Sequence, residues 1–120
     1  MTNQEIFDRV ARHLLQQGAP AIRQGRPVIQ TRRYPVRKSA IGCLIEEGRY
    51  TVVCELTPAS REALLQRSGI NLAESGELIE ELEKIHNCEC SENWLTALQS
   101  IANEFNLKPT VLEQVGAVVA

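Results

Sequence analysis

Three segments of this chain repeat apolar residues at helical spacing, and that periodicity constrains the fold more than any other feature. In residues 3–17 the stripe is Ile6, Phe7, Val10, Ala11, Leu14 and Leu15. In 76–86 it is Leu78, Ile79, Leu82 and Ile85, and in 92–105 it is Trp94, Leu95, Leu98, Ile101, Ala102 and Phe105. A helix apolar on one face has to bury that face against another element, so these segments predict helices packed on one another. Aromatic residues make up only 4% of the chain, so Leu, Ile, Val and Ala must fill the core, which suits helix packing better than a large β-sandwich.

End signals place the helices. Thr2 or Asn3 can cap the first, with Glu5 near the positive end of its dipole, and Gly18 followed by Pro20 stops it. Thr57-Pro58 reads as a cap and a first helical proline, which predicts a helix over 58–68 that buries Leu64 and Leu65 and ends at Gly69. A linker over 70–74 then leads to Ser75 as the cap of 76–86. Ser91 is expected to cap 92–105, and Pro109-Thr110 to open a short helix over 110–115.

The β content is smaller. Pro20, Gly25, Pro27 and Pro35 argue against a helix in 19–38, and Val28, Ile29, Thr31 and Tyr34 favour a strand at 28–34 that turns at Pro35 and returns near 38–42. The run 39–45 fits either a buried strand or a short helix capped by Ser39, and Gly42 within it suggests close approach of another backbone. Tyr50 to Cys54 has strand propensity. The expected fold is α+β and mostly helical, with four to five helices and a two- or three-stranded β element in one domain spanning 1–120. A chain of this length can bury about 65% of its unfolded surface, enough for a core without staples.

No apolar run approaches the roughly 20 residues that cross a bilayer, and the polar N-terminus does not read as a signal peptide. The expected setting is therefore a reducing cytoplasm, with no membrane partner. Cys43, Cys54, Cys88 and Cys90 are expected as thiols rather than disulfides.

Charge is distributed unevenly along the chain. Residues 1–45 carry eight basic and two acidic residues, and residues 46–120 carry five basic and thirteen acidic ones. Six of the cations, Arg23, Arg26, Arg32, Arg33, Arg37 and Lys38, cluster around Tyr34. Such a segment can neutralise phosphates while the tyrosine stacks on a base. Helices 58–68 and 76–86 could also mimic a helix-turn-helix, but the second is acidic and would repel phosphate. Its residues Glu77, Glu80, Glu81 and Glu83 form either an ordinary solvated face or a docking face for a basic protein.

Two constellations carry potential chemistry. His86-x-Cys88-x-Cys90 brings together the ligand types that tetrahedral zinc prefers, with Cys43 or Cys54 as a fourth, but it lacks the two separated pairs of a zinc knuckle. The plainer expectation is a histidine at a helix C-terminus followed by two loop cysteines, with no metal and no cofactor. Cys43 beside His86 or His13 could form a thiolate–imidazole pair, but no hydrolase motif surrounds it, and a small buried hydrophobe is expected there. No catalytic residue is assigned.

The order Glu5-Ile6-Phe7-Asp8, His13-Leu14-Leu15, Ala40 to Ile45, Tyr50, Glu55, Ile85-His86, Trp94, Ile101-Ala102 and Leu107 resembles a group of small uncharacterised proteins of bacterial genomes, phages and prophages. In that group a cysteine commonly precedes the Ala-Ile-Gly stretch and an acid follows the histidine; here Ser39 and Asn87 stand in those places. The resemblance implies a phage or prophage setting and a helical fold with a small β element, and no activity. On this footing the expected function is an accessory protein that binds a protein partner in the bacterial cytoplasm, as an inhibitor of a host or defence protein. The alternatives are a nucleic-acid-binding regulator using 23–38 and, third, a small enzyme or metal protein. Homodimerisation is a further expectation, from the amphipathic helices and the apolar end Val118-Val119-Ala120.

Overall fold

A computed structural model of the chain describes residues 1–31, 36–45 and 58–119. Its first helix, α1 (Asn3–Gln17), begins with a capping box: the Glu5 N–H donates to Thr2 Oγ1 and the Thr2 N–H donates to Glu5 Oε1, each at 3.1 Å. The helix ends at Gly18, where φ is 71° and the N–H returns to the Leu14 carbonyl at 2.9 Å. Ile6, Phe7, Val10, Ala11 and Leu14 are fully buried, and α1 is packed against four of the later helices, leaving out the one over 58–67.

A small antiparallel hairpin follows, β1 (Ile22–Arg23) and β2 (Arg26–Pro27), with Ile22 opposite Pro27 and Arg23 opposite Arg26. Its two turn residues, Gln24 (φ 53°) and Gly25 (φ 77°), both take the left-handed backbone that a two-residue hairpin requires. The hairpin thus lies earlier than the strand expected at 28–34. Where that strand was expected, residues 29–31 and 37–39 do pair: Thr31 N–H donates to Arg37 O and Ser39 N–H to Ile29 O, both at 2.9 Å, around a bridge between Gln30 and Lys38. Residues 32–34 of the expected strand and its turn at Pro35, and the segment Tyr50 to Cys54, lie outside the described residues.

The expected return over 38–42 stops at Ser39, because Ser39 caps a short helix instead, α2 (Ala40–Leu44). Ser39 Oγ accepts the Gly42 N–H at 3.2 Å, which satisfies a donor that the helix start would leave open. Gly42 is required by packing: a Cβ there would overlap the Ile29 carbonyl oxygen.

Helix α3 (Pro58–Arg67) buries Leu64 and Leu65 and ends before Gly69, φ 87°. The Thr57 cap lies outside the described residues. Helix α4 (Leu72–Cys88) is longer than expected at both ends. Asn71 is its cap, with Oδ1 accepting the Ala73 N–H at 3.0 Å, and Ser75 lies buried within it, donating to Asn3 Oδ1 at 2.6 Å. Both residues are good caps; the tie between Ser75 and α1 places Ser75 inside the helix.

Ser91 begins a 3-10 turn, Ser91–Asn93, that runs into α5 (Trp94–Glu104) without a side-chain cap. Asn106 (φ 55°) then ends that helical run, and α6 (Thr110–Val119) closes the order, several residues longer than expected. Six α-helices among the described residues exceed the four or five anticipated; α2 is the addition. One apolar cluster joins all six helices, with Phe7, Leu44, Leu78, Leu82, Trp94 and Leu98 among its most buried members. None of the described helices is long and apolar enough to cross a membrane.

Candidate functional surface

Three of the residues that could carry chemistry, His13, Cys43 and His86, are committed to holding the fold. His86 is 1% exposed, four residues after the buried Leu82 on the same face of α4. Its Nε2 accepts the Ala21 N–H at 2.8 Å, and its Nδ1 lies 2.6 Å from Asn87 Oδ1, an arrangement that places the ring hydrogen on Nδ1. The ring stacks on Trp94 with centroids 6.0 Å apart, and the indole N–H donates to the Glu89 carbonyl at 3.2 Å. His86 therefore ties the segment after α1 to α4 and α5. Cys88 and Cys90 are exposed while His86 is buried, so the three do not assemble, and no group of three metal-ligating side chains occurs among the described residues. Cys54, one of the two fourth-ligand candidates, lies outside them.

Cys43 makes no bond to either histidine. Its thiol donates to the Ala40 carbonyl at 3.1 Å, and burial pushes its pKa up to about 12, which disfavours the thiolate that nucleophilic chemistry needs. His13 is turned to the Lys38 carbonyl, 2.9 Å from Nε2, and burial, partly opposed by that bond, lowers its pKa.

The acidic residues of α4 divide by environment. Glu83 does not lie on an outward face: its carboxylate accepts Ser39 Oγ–H at 3.0 Å and Ile41 N–H at 3.1 Å, and so holds the start of α2. Glu81 pairs with Lys84 at 3.2 Å. Glu77 and Glu80 are exposed and border a cleft of about 420 Å³ between α3 and α4. The cleft has an apolar floor of Ile41, Leu65, Leu72 and Ile79, and its rim holds Glu62 and Arg61 besides the two α4 glutamates. The Arg61 Nε is buried without a hydrogen-bond partner, the kind of polar atom that folded proteins rarely leave unpaired. Sequence reasoning found Glu77 and Glu80 but not Arg61 or Glu62, because no local pattern says how α3 meets α4.

The basic segment is only partly drawn together. Arg23 and Arg26 are exposed and face each other across the hairpin, with Ile22 beside them 49% exposed. Arg37 and Lys38 are half-buried, and Arg32, Arg33 and Tyr34 lie outside the described residues. The hairpin leaves from Ala21, which is bonded to His86 near the C-terminal end of α4, whereas the cleft lies along the N-terminal half of that helix. At 1.5 Å per residue, Glu77 and His86 are about 13 Å apart along the α4 axis. The basic hairpin and the acidic rim are thus anchored at different levels of one helix. Comparison with protein-family models, with curated proteins and with solved structures returns no match to this chain.

Proposed function

We propose that this chain is a phage or prophage accessory protein that acts by binding a basic protein partner at the α3–α4 cleft, and that the partner is inhibited by being bound. The observation that carries this reading is the cleft itself: an apolar floor with Glu62, Glu77 and Glu80 on its rim. Apolar contact there supplies affinity, and the carboxylates select a cationic partner and speed its encounter. The internal commitment of His13, Cys43 and His86 argues in the same direction, since binding needs none of them. The phage setting, the bacterial cytoplasm and the inhibitory outcome rest on the resemblance described above.

The test is affinity capture from nuclease-treated bacterial lysate with the wild-type chain and with a Glu77→Lys/Glu80→Lys variant. A protein retained by the first and lost from the second supports the reading. A protein retained equally by both contradicts it, as does the absence of any specific capture. A second reading, nucleic-acid binding, is favoured by the exposed Arg23 and Arg26 on the hairpin. It predicts salt-dependent retention of nucleic acid that Arg23→Ala/Arg26→Ala abolishes and the cleft variant leaves unchanged.

A further inference from the structure

A buried imidazole joins the β1–β2 hairpin to the helical body. His86 Nε2 accepts the Ala21 N–H at 2.8 Å, and the Ala21 carbonyl in turn accepts the Val28 N–H at 2.9 Å, so this bond fastens the base of the hairpin. Ala21 and Val28 form a small apolar cluster of their own, apart from the main core. The chain on either side is fixed by other means. Gln17 Nε2 donates to the Ala19 carbonyl at 2.8 Å, and Ile29 belongs to the main core, where its carbonyl accepts the Ser39 N–H at 2.9 Å. Residues 21–28 are thus a unit attached through two small apolar side chains and a lone pair of His86.

That lone pair is also where a proton binds. Neutral His86 carries its hydrogen on Nδ1, toward Asn87 Oδ1 at 2.6 Å, which leaves Nε2 as the acceptor. A charged imidazole donates from both nitrogens, so its Nε2–H would oppose the Ala21 N–H in a site that is 1% exposed. The titratable and charged groups of this region are Arg9 and His13 on α1, Lys38 in the returning segment, Cys43 on α2 and Glu83 on α4 itself. Helix α5 brings the uncharged Trp94. The Glu83 carboxylate already accepts Ser39 Oγ–H and Ile41 N–H, so cations outnumber free carboxylates around the ring. His13 responds differently to acid: its Nε2 donates to the Lys38 carbonyl, and a protonated ring still donates there. The proton therefore competes with the fold for a bonding site at His86 and not at His13.

We propose that neutral His86 holds the hairpin 21–28 to α4, and that protonation of the ring releases this hairpin, with its exposed Ile22, Arg23 and Arg26, while the six helices stay packed. By linkage, once His86 begins to protonate, the ratio of released to held hairpin rises about tenfold for each unit that the pH falls. The device is separate from the α3–α4 cleft, which lies along the other half of α4.

The test is two-dimensional NMR of the full-length chain, titrated from about pH 7.5 to about pH 5, the range in which histidine changes charge. The carbon-bound ring protons report the state of His86, and the amide resonances report the backbone. We expect the amides of 21–28 to move toward unfolded values in step with the His86 ring, while those of α1 and α5 keep their native dispersion. His86→Gln offers an amide oxygen to the Ala21 N–H and cannot be protonated, so its hairpin should stay attached throughout. His13→Gln should release the hairpin as the wild type does. The proposal is overturned if His86 titrates with the hairpin amides unmoved, if the ring stays neutral to the lower limit, or if hairpin and helices lose their native signals together. Release by a folded His86→Gln over the same range would also overturn it, and the wild-type titration decides alone if that variant does not fold.

Discussion

Replacing Glu83 separates a structural carboxylate from its exposed neighbours on the same helix. In Glu83→Ala, the Ser39 hydroxyl and the Ile41 N–H at the start of α2 both lose their acceptor, and Ser39 is fully buried. A hydrogen bond to a charged acceptor contributes about 1.5–3 kcal/mol, and Glu83 itself is only half-buried, so we take the lower part of that range and expect a loss of about 3–4 kcal/mol for the two bonds together. Glu83→Gln keeps one acceptor oxygen, and the Ser39 hydroxyl can rotate toward the new amide; about 1 kcal/mol should be lost. Glu77→Ala and Glu80→Ala remove exposed carboxylates and should stay within about 0.5 kcal/mol of the wild type. The assay is urea unfolding followed by circular dichroism, in which a lowered midpoint at unchanged slope reports a stability loss. A Glu83→Ala midpoint equal to that of Glu77→Ala would refute the assignment of Glu83 to the α2 start.

Other outcomes follow from the same packing. Gly42→Ala should destabilise by about 1–2 kcal/mol in the same assay, because crowding of the Ile29 carbonyl outweighs the better helix propensity of alanine. His13 is held below its ordinary pKa of 6.5 mainly by burial, so below that pH the unfolded chain binds more protons than the folded one. Stability should therefore fall as pH drops through about 6.5, and fall less in His13→Gln, as measured by urea unfolding across pH. In timed alkylation of the folded chain read by mass spectrometry, Cys43 should stay unmodified at pH 8 while Cys88 and Cys90 react.

What the sequence made legible was local. The α1 stripe, the Thr2 cap and the Gly18 stop each follow from one turn of chain, and all three are as expected. Helix α4 shows the limit: Asn71 and Ser75 are equally good caps, and the bond from Ser75 to Asn3, 72 residues away, is not a local feature. Glu83 was readable in principle, since it lies four residues after Ile79 and three before His86, both buried, which sets it at the edge of the apolar stripe rather than opposite it. The hairpin turn Gln24-Gly25 lacks the Asn or Asp that usually announces such a turn, so β1 and β2 gave no strong signal. His86 stands in the last turn of α4 as expected, but its burial against Trp94 and its bond to Ala21 depend on residues distant in sequence. The cleft needed the tertiary fold, because its floor takes Ile41 from α2, Leu65 from α3 and Ile79 from α4.

The measurement that bears most directly on the proposed function is calorimetric titration of the captured partner into the wild-type chain, Glu77→Lys/Glu80→Lys and Arg23→Ala/Arg26→Ala at two salt concentrations. A cleft that docks a basic protein predicts that the glutamate variant loses at least tenfold in affinity, about 1.4 kcal/mol, while the arginine variant binds as the wild type does. Equal binding by the glutamate variant, or a loss confined to the arginine variant, would contradict the account.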